Sequence, residues 1–225
     1  MTLGKLVLTH KRDAGVGVLT LNRPDKKNAL SIDLRDEMSD ALDELGADDL
    51  IKVVVITGAG DSFSAGFDLK EFDRLDDDAH ARRLWESSDR WHRTMIEFPL
   101  PTIAAVNGVA LAGGFDLAVM CDLRIAATTA RFAHPEQAFS DVVYGPLHDL
   151  VGGAVARDLC LTGRSLDARE ALDLSLVSKV VPPADLEAEA MAFASQISRA
   201  PREILVRTKA KATRRAAVAG QTLDL

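Results

Sequence analysis

Residues 101–120 read PTIAAVNGVALAGGFDLAVM, and the fold class turns on this stretch. Thr102 to Val106 is an apolar run too short for a helix, of the kind seen in strands covered on both faces. Asn107-Gly108 interrupts it, and Gly113-Gly114 then opens a helix running to about Cys121. Paired glycines before a helix let a ligand approach the backbone. The first helical N–H groups have no internal partner and suit an anion or a developing oxyanion. Asp116 falls in the first turn, where its position alone is explained by the helix dipole. Asn107, Asp116 and the glycines also exclude a lone transmembrane span here.

Working outward, Val53 to Thr57 (VVVIT) is a second strand of the doubly covered kind, and Leu123 to Ala127 a third. Leu6 to Leu8 and Val16 to Leu21 are β-rich runs joined by a charged turn, the signal of a hairpin. Ser31 is an N-cap for a helix to about Leu45, with Leu34, Met38, Ala41, Leu42 and Leu45 on one face. Glu71 to Asp78 lacks a period and reads as a loop or solvated helix edge. A helix from Ala79 to Phe98 follows, with Leu84, Trp85, Trp91, Met95 and Ile96 inward, stopped by Pro99 and Pro101. Beyond Pro135 the pattern predicts helices over Val151 to Leu161, Ala168 to Leu174 (Asp167 and Glu170 forming a capping box), Ala184 to Arg199 and Pro201 to Ala219. Strands are thus expected in the first two thirds only. The class is α/β with a helical C-terminal part.

Composition agrees with a soluble globular chain of one large domain or two small ones: 225 residues, 47% hydrophobic and 27% charged. A chain of this length buries roughly 70–75% of its extended surface and needs no staples. The net charge of −7 argues against nucleic-acid binding. Two cysteines, Cys121 and Cys160, make no disulfide framework, and the first ten residues lack the apolar core of a signal peptide, so the expected compartment is the cytoplasm. The five histidines show no metal-like spacing, so no metal is expected.

Two further segments carry polar groups near strand ends. VVVITGAGDSFSAG, residues 53–66, runs a strand into Gly-Ala-Gly, but Phe63 stands where a dinucleotide fingerprint needs its third glycine, and no Gly-Lys-Ser/Thr follows for a P-loop. In ARFAHPE, residues 130–136, Glu136 either faces a cleft or is an ordinary loop glutamate, and His134 is either a base or ligand or a structural residue.

Taken together, FSAGFDLKEF (63–72), AVNGVALAGGFDLAVMCDLRIA (105–126) and ARFAHPE resemble the crotonase superfamily, the enoyl-CoA hydratase/isomerase family. NRPDKKNALS (22–31) and LTGRSLDAREALDLSLVSKVVP (161–182) support the resemblance, which runs from about Leu6 to Arg215. It implies a crotonase-like spiral of ββα units over residues 1–180, holding the CoA and oxyanion site. Residues 181–225 would form a C-terminal helical segment for packing and for assembly into a homotrimer or a hexamer of two trimers. It implies acyl-CoA thioester substrates and no cofactor beyond the CoA they carry. By motif position the oxyanion hole is the N–H groups of Phe67 and Gly113. Lys27, Ala29, Ala65, Gly66, Asp68, Leu69, Lys70 and Gly114 would line the substrate.

The carboxylates that hold water in family hydratases fall at Asp116 and Glu136. Asp116 departs from the usual glutamate and shortens the reach by roughly 1.3 Å. The segment QAFSDVVYGPLHD (137–149) is several residues shorter than in many hydratases, which makes Asp141, Tyr144, His148 and Asp149 extra polar candidates. The implied activity is a lyase, hydration of trans-2-enoyl-CoA in fatty acid metabolism. The alternatives are double-bond isomerisation by Glu136 alone, or acyl-CoA binding without catalysis. On the last helix, Arg207, Lys211, Arg214 and Arg215 share a face suited to CoA phosphates or simply to solvent, and Val206, Ala210, Thr213 and Ala217 a face that packs.

Overall fold

The computed structural model describes residues 5–216, and side chains up to Arg214. Strands β1 (Val7–Arg12) and β2 (Val16–Leu21) form the expected hairpin. β2 then pairs in parallel with β3 (Val53–Gly58), β3 with β5 (Thr102–Val106), β5 with β7 (Leu123–Ala127), and β7 with β10 (Lys179–Val181). A second sheet holds β4 (Ser62–Ser64), β6 (Val109–Leu111), β8 (Arg131–Ala133) and β9 (Leu166–Asp167), in that order. Each of β3, β5 and β7 crosses within a few residues to its neighbour in the small sheet, and a helix follows. These helices are α2 (Leu69–Phe72) with α3 (Asp78–Glu97), then α4 (Gly113–Met120), then α5 (Gly145–Thr162). That is the expected ββα spiral.

Alternation along the strands explains why the apolar runs are continuous. Val53, Val55, Ile103, Ala105, Ile125, Ala127 and Val181 face Leu186, Ala190 and Ala194 of α7 (Leu186–Ser198). Val54, Ile56, Ala104, Val106 and Ala126 face the larger core, shared with α1 (Ile32–Ala47), α3 and α4. Ser31 caps α1 as expected, accepting the Leu34 N–H at 3.3 Å. Asp167 caps α6 (Ala168–Asp173), accepting the Glu170 N–H at 2.8 Å.

Three expectations are corrected. Strands are not confined to the first two thirds: β9 and β10 lie beyond them, each too short to show a period, and Asp167 ends a strand while capping a helix. Trp85 is not inward but 44% exposed, because Leu84, Ser88, Trp91 and Met95 fill a stripe that leaves the next position outside; its ring meets Phe72 edge-on at 6.2 Å. Glu71 is not part of a solvated edge: both its oxygens lie 3.0 Å from the Ile32 N–H and accept it, closing the start of α1.

The last helix, α8 (Arg202–Ala216), packs through Val206 against the larger core, while Arg207, Lys211 and Arg214 are exposed. The Arg215 side chain and Ala217 lie outside the described residues. Lys209 on α8 is buried, donating to the Leu100 carbonyl at 2.9 Å and pairing with Asp122 at 2.9 Å. No helix among the described residues is long and apolar enough to cross a membrane.

Candidate active site

The site forms where the loop after β4 meets the turn between β6 and α4. Ala112 makes that turn with φ 50° and ψ −129°, a region L residues rarely adopt and that typically costs ~1–3 kcal/mol. Its N–H donates to Ala133 O at 2.9 Å, and its carbonyl accepts from Phe115 N–H at 2.7 Å and Asp116 N–H at 3.0 Å. The strained residue is therefore held from both sides. It reverses the chain so that α4 starts directly beneath the β4 loop.

Glycine is required at three places by close approach. A Cβ on Gly66 would stand 2.7 Å from Leu111 O and 3.2 Å from Gly113 N. A Cβ on Gly113 would stand 2.7 Å from the Phe67 ring, and one on Gly114 only 2.3 Å from Ser64 O. Gly114 thus serves the packing of α4 on β4. Leu30 forms a parallel bridge with Phe67: Leu30 N–H donates to Gly66 O at 2.8 Å and Asp68 N–H to Leu30 O at 3.4 Å. In such a bridge the N–H of residue 67 itself points the other way. Gly113 begins α4, so its N–H has no partner within the helix. Neither N–H has an acceptor among the described residues.

The Phe67 ring is locked. The Arg35 guanidinium lies 4.4 Å over its face, Trp91 meets it edge-on at 6.0 Å, and Phe72 and His92 complete the wall. Arg35 is fully buried and donates to Leu30 O at 2.7 Å, Leu84 O at 3.2 Å and Ser87 Oγ at 3.3 Å. Burial lowers its pKa to about 10, with Glu71 opposing the shift, so it stays a cation at neutral pH. Burial also raises the Glu71 carboxyl above its ordinary range. Composition offered no hint of this cation. The signal was its place on the α1 stripe, three residues before Met38 and seven before Leu42.

Asp116 on α4 and Glu136 in the turn Pro135–Ala138 come together around His134. His134 is fully buried; its Nδ1 lies 2.9 Å from Glu136 Oε1 and 3.7 Å from Asp116 Oδ1. Its ring packs 4.7 Å from that of Phe115. Asp116 Oδ1, Glu136 Oε2 and His134 Nε2 are buried without hydrogen-bond partners among the described residues. Burial first, and Glu136 second, push the Asp116 carboxyl well above the usual carboxylate range. Cys160 on α5 feels the same environment: burial and then the two carboxylates push its thiol up to about 11. One donor atom each from Asp116, His134 and Glu136 lies within 4.8 Å of the others, close enough for a cation, although Nδ1 is already engaged by Glu136.

The remaining expected substrate residues divide. Lys27 and Asn28 both have positive φ, and Ala65 N–H donates to Lys27 O at 2.9 Å, so Lys27, Ala29 and Ala65 edge the same loop as Phe67. Asn28, overlooked in the sequence, is the pin: it is fully buried and donates to Ala59 O at 2.9 Å and Ser62 O at 2.8 Å. Asp68 pairs with Arg23 at 2.8 Å and caps α2, while Leu69 and Lys70 are exposed beside it. Tyr144 is partly buried with its ring 5.5 Å from that of exposed His148, which faces Asp149 at 3.3 Å; Asp141 is exposed.

The ββα spiral is that of a crotonase-type enzyme, and it carries two backbone donors without acceptors among the described residues together with a buried carboxylate pair. The family model for enoyl-CoA hydratase/isomerase matches residues 11–223. The chain belongs to that family. It is 44% identical over 194 residues to a probable enoyl-CoA hydratase of Mycobacterium bovis, covering 84% of this chain and 74% of that one. It is 37% identical over 207 residues to a short-chain-enoyl-CoA hydratase of Clostridium acetobutylicum, covering 89% and 78%. A solved enoyl-CoA hydratase/isomerase from Xanthobacter autotrophicus Py2 superposes with a TM-score of 0.87 at 34% identity, covering 95% of this chain and 80% of that one.

Proposed function

We propose that this protein is an enoyl-CoA hydratase that adds water across the double bond of a trans-2-enoyl-CoA thioester. The observation that carries the reading is the pair Asp116 and Glu136, each with a buried carboxylate oxygen that has no partner among the described residues, on a fold whose helix α4 carries both Asp116 and the Gly113 N–H. Two acceptors of this kind suit a water molecule, and the Phe67 and Gly113 N–H groups suit the thioester oxygen as it gains charge. Water oxygen bonds to the β carbon as a carboxylate takes its proton. The electron pair of the double bond passes toward the thioester oxygen, and the enolate then collects a proton at the α carbon. Glu136 is the principal proton carrier and Asp116 positions the water. Lys27, Ala29, Ala65, Asp68, Leu69 and Lys70 form the rim along which the CoA moiety lies.

A second reading, double-bond isomerisation, has one specific support. The raised Asp116 carboxyl favours its neutral form, which leaves Glu136 as a single mobile base. The deciding experiment is a panel of 2-enoyl-CoA and 3-enoyl-CoA substrates of graded length with chromatographic identification of products. Formation of 3-hydroxyacyl-CoA from 2-enoyl-CoA is expected. Conversion of 3-enoyl-CoA to 2-enoyl-CoA with no hydroxyacyl product would replace hydration by isomerisation.

A further inference from the structure

His134 stands between the two carboxylates but its imidazole is used by neither reading above. Its environment restricts what it can do. A carboxylate oxygen only accepts, so the 2.9 Å contact with Glu136 Oε1 needs one proton, on Nδ1 or on Glu136. If Glu136 carried it, Nε2 would bear the imidazole hydrogen, and that hydrogen would be buried with no acceptor. In protein backbones a buried N–H is left orphaned less often than a carbonyl acceptor, and by the same preference the ring buries its single Nε2 lone pair rather than an unpaired N–H. The favoured arrangement is therefore Nδ1–H donating to an ionised Glu136, with Nε2 bare. The same N–H is too far from Asp116 Oδ1, at 3.7 Å, to bond it well. The two carboxylates are thus made unequal by one hydrogen.

We propose that His134 is a positioning residue for Glu136: its Nδ1–H clamps Oε1 and leaves Oε2 as the single oxygen aimed at the reacting carbon. The clamp selects Glu136 as the ionised member of the pair and leaves the shared proton to Asp116. It also fixes the carboxylate plane, because the ring is held against Phe115 and its peptide enters the Pro135–Ala138 turn, where Gln137 N–H donates to His134 O at 3.3 Å. Other titratable groups at this point are Asp116 on α4 and Cys160 on α5, and the thiol stays neutral through the working range. The inference rests on the acyl-CoA reading for its kinetic part only.

The test uses His134→Leu, which keeps bulk without the donor, and His134→Asn, whose side-chain amide can replace Nδ1–H. With the full-length enzyme and enoyl-CoA, His134→Leu is expected to lower kcat on the order of 10²-fold with KM changed by less than about threefold, the scale of a misplaced acid–base group. The acidic limb of its kcat profile should move to higher pH, because the carboxylate form loses a donor. His134→Asn should recover most of kcat and return the limb. In the wild-type enzyme, nitrogen NMR of labelled histidine should show one tautomer with a protonated Nδ1 and a bare Nε2 that disappears in His134→Asn. A folded His134→Leu enzyme with unchanged kcat and limb overturns the proposal, as does an Asn variant no better than Leu, or an Nε2–H tautomer. The NMR arm needs no turnover, so it decides the clamp even if no enoyl-CoA is converted, the outcome that would defeat the functional reading instead.

Discussion

Replacing Asp116 by asparagine separates what the site costs the fold from what it contributes to chemistry. Asp116 is buried, lies beside Glu136, and has one oxygen without a partner. Burial opposes ionisation of this carboxyl in the folded chain only, a difference worth about 1.4 kcal/mol per pH unit that the amide removes, although the amide leaves the same position without a partner. A dipole gain of ~0.3–1 kcal/mol at this first-turn position of α4 would need an ionised carboxylate, and the raised titration keeps Asp116 neutral, so the amide forfeits little there. The net expectation is that Asp116→Asn stabilises the enzyme by about 1–2 kcal/mol near neutral pH. For a chain of this size that corresponds to a rise of roughly 2–8 °C in melting temperature. The sign follows from linkage. The folded carboxyl titrates above its unfolded counterpart, so wild-type stability from this group is complete at low pH and is lost as pH rises through the folded value. The gain in the variant should therefore vanish toward pH 4 and grow above it. Thermal melts of both proteins from pH 4 to pH 9 measure this directly. A variant less stable than wild type at pH 8, or a difference that does not vary with pH, would refute the reasoning. In the same preparation hydration should fall by orders of magnitude, because water loses one anchor, whereas isomerisation would fall only modestly.

Glu136→Gln should lower turnover by ~10²–10⁴-fold while acyl-CoA binding, measured calorimetrically, persists. Gly114→Ala places a Cβ 2.3 Å from Ser64 O, so α4 must move by about 1 Å and carry the Gly113 N–H with it; kcat should drop on the order of 10²-fold, alongside a lower melting temperature. Lys209→Met leaves the Leu100 carbonyl without its donor and should cost about 1–3 kcal/mol in denaturant unfolding with kcat unchanged, since Lys209 lies on α8 outside the catalytic groups.

Those variants fall on residues that were legible to different degrees. Strands β3, β5 and β7 declared themselves because both faces are covered, which removes polar positions from the run. β9 and β10 did not, since two or three residues carry no period and their pairing is decided by distant strands. Asp116 and Glu136 were found only as members of spaced motifs; taken singly, each had an ordinary explanation in a helix dipole or a loop. The arrangement around them was not legible. His134 bonds a residue two positions away, yet the choice of nitrogen depends on the burial of Nε2 by the whole core. Arg35 sits among apolar residues of α1, and the carbonyls that hold it belong to Leu30 and to Leu84 on α3, a helix remote in sequence. Trp85 shows the reverse failure: an apolar residue was assigned to a face already full.

The covering of the central sheet by α7 has a consequence for how the chain is made. Leu186, Ala190 and Ala194 complete the second core, but their partners on β2, β3, β5 and β7 are all synthesised earlier. Chains emerge from the ribosome N-terminal end first. While residues 16–127 are out and α7 is still in the exit tunnel, Val53, Val55, Ile103, Ala105 and Ile125 lack their native cover. The candidate catalytic groups all precede that helix in the chain, so the segments proposed to do the chemistry leave the ribosome while one face of their sheet is still uncovered.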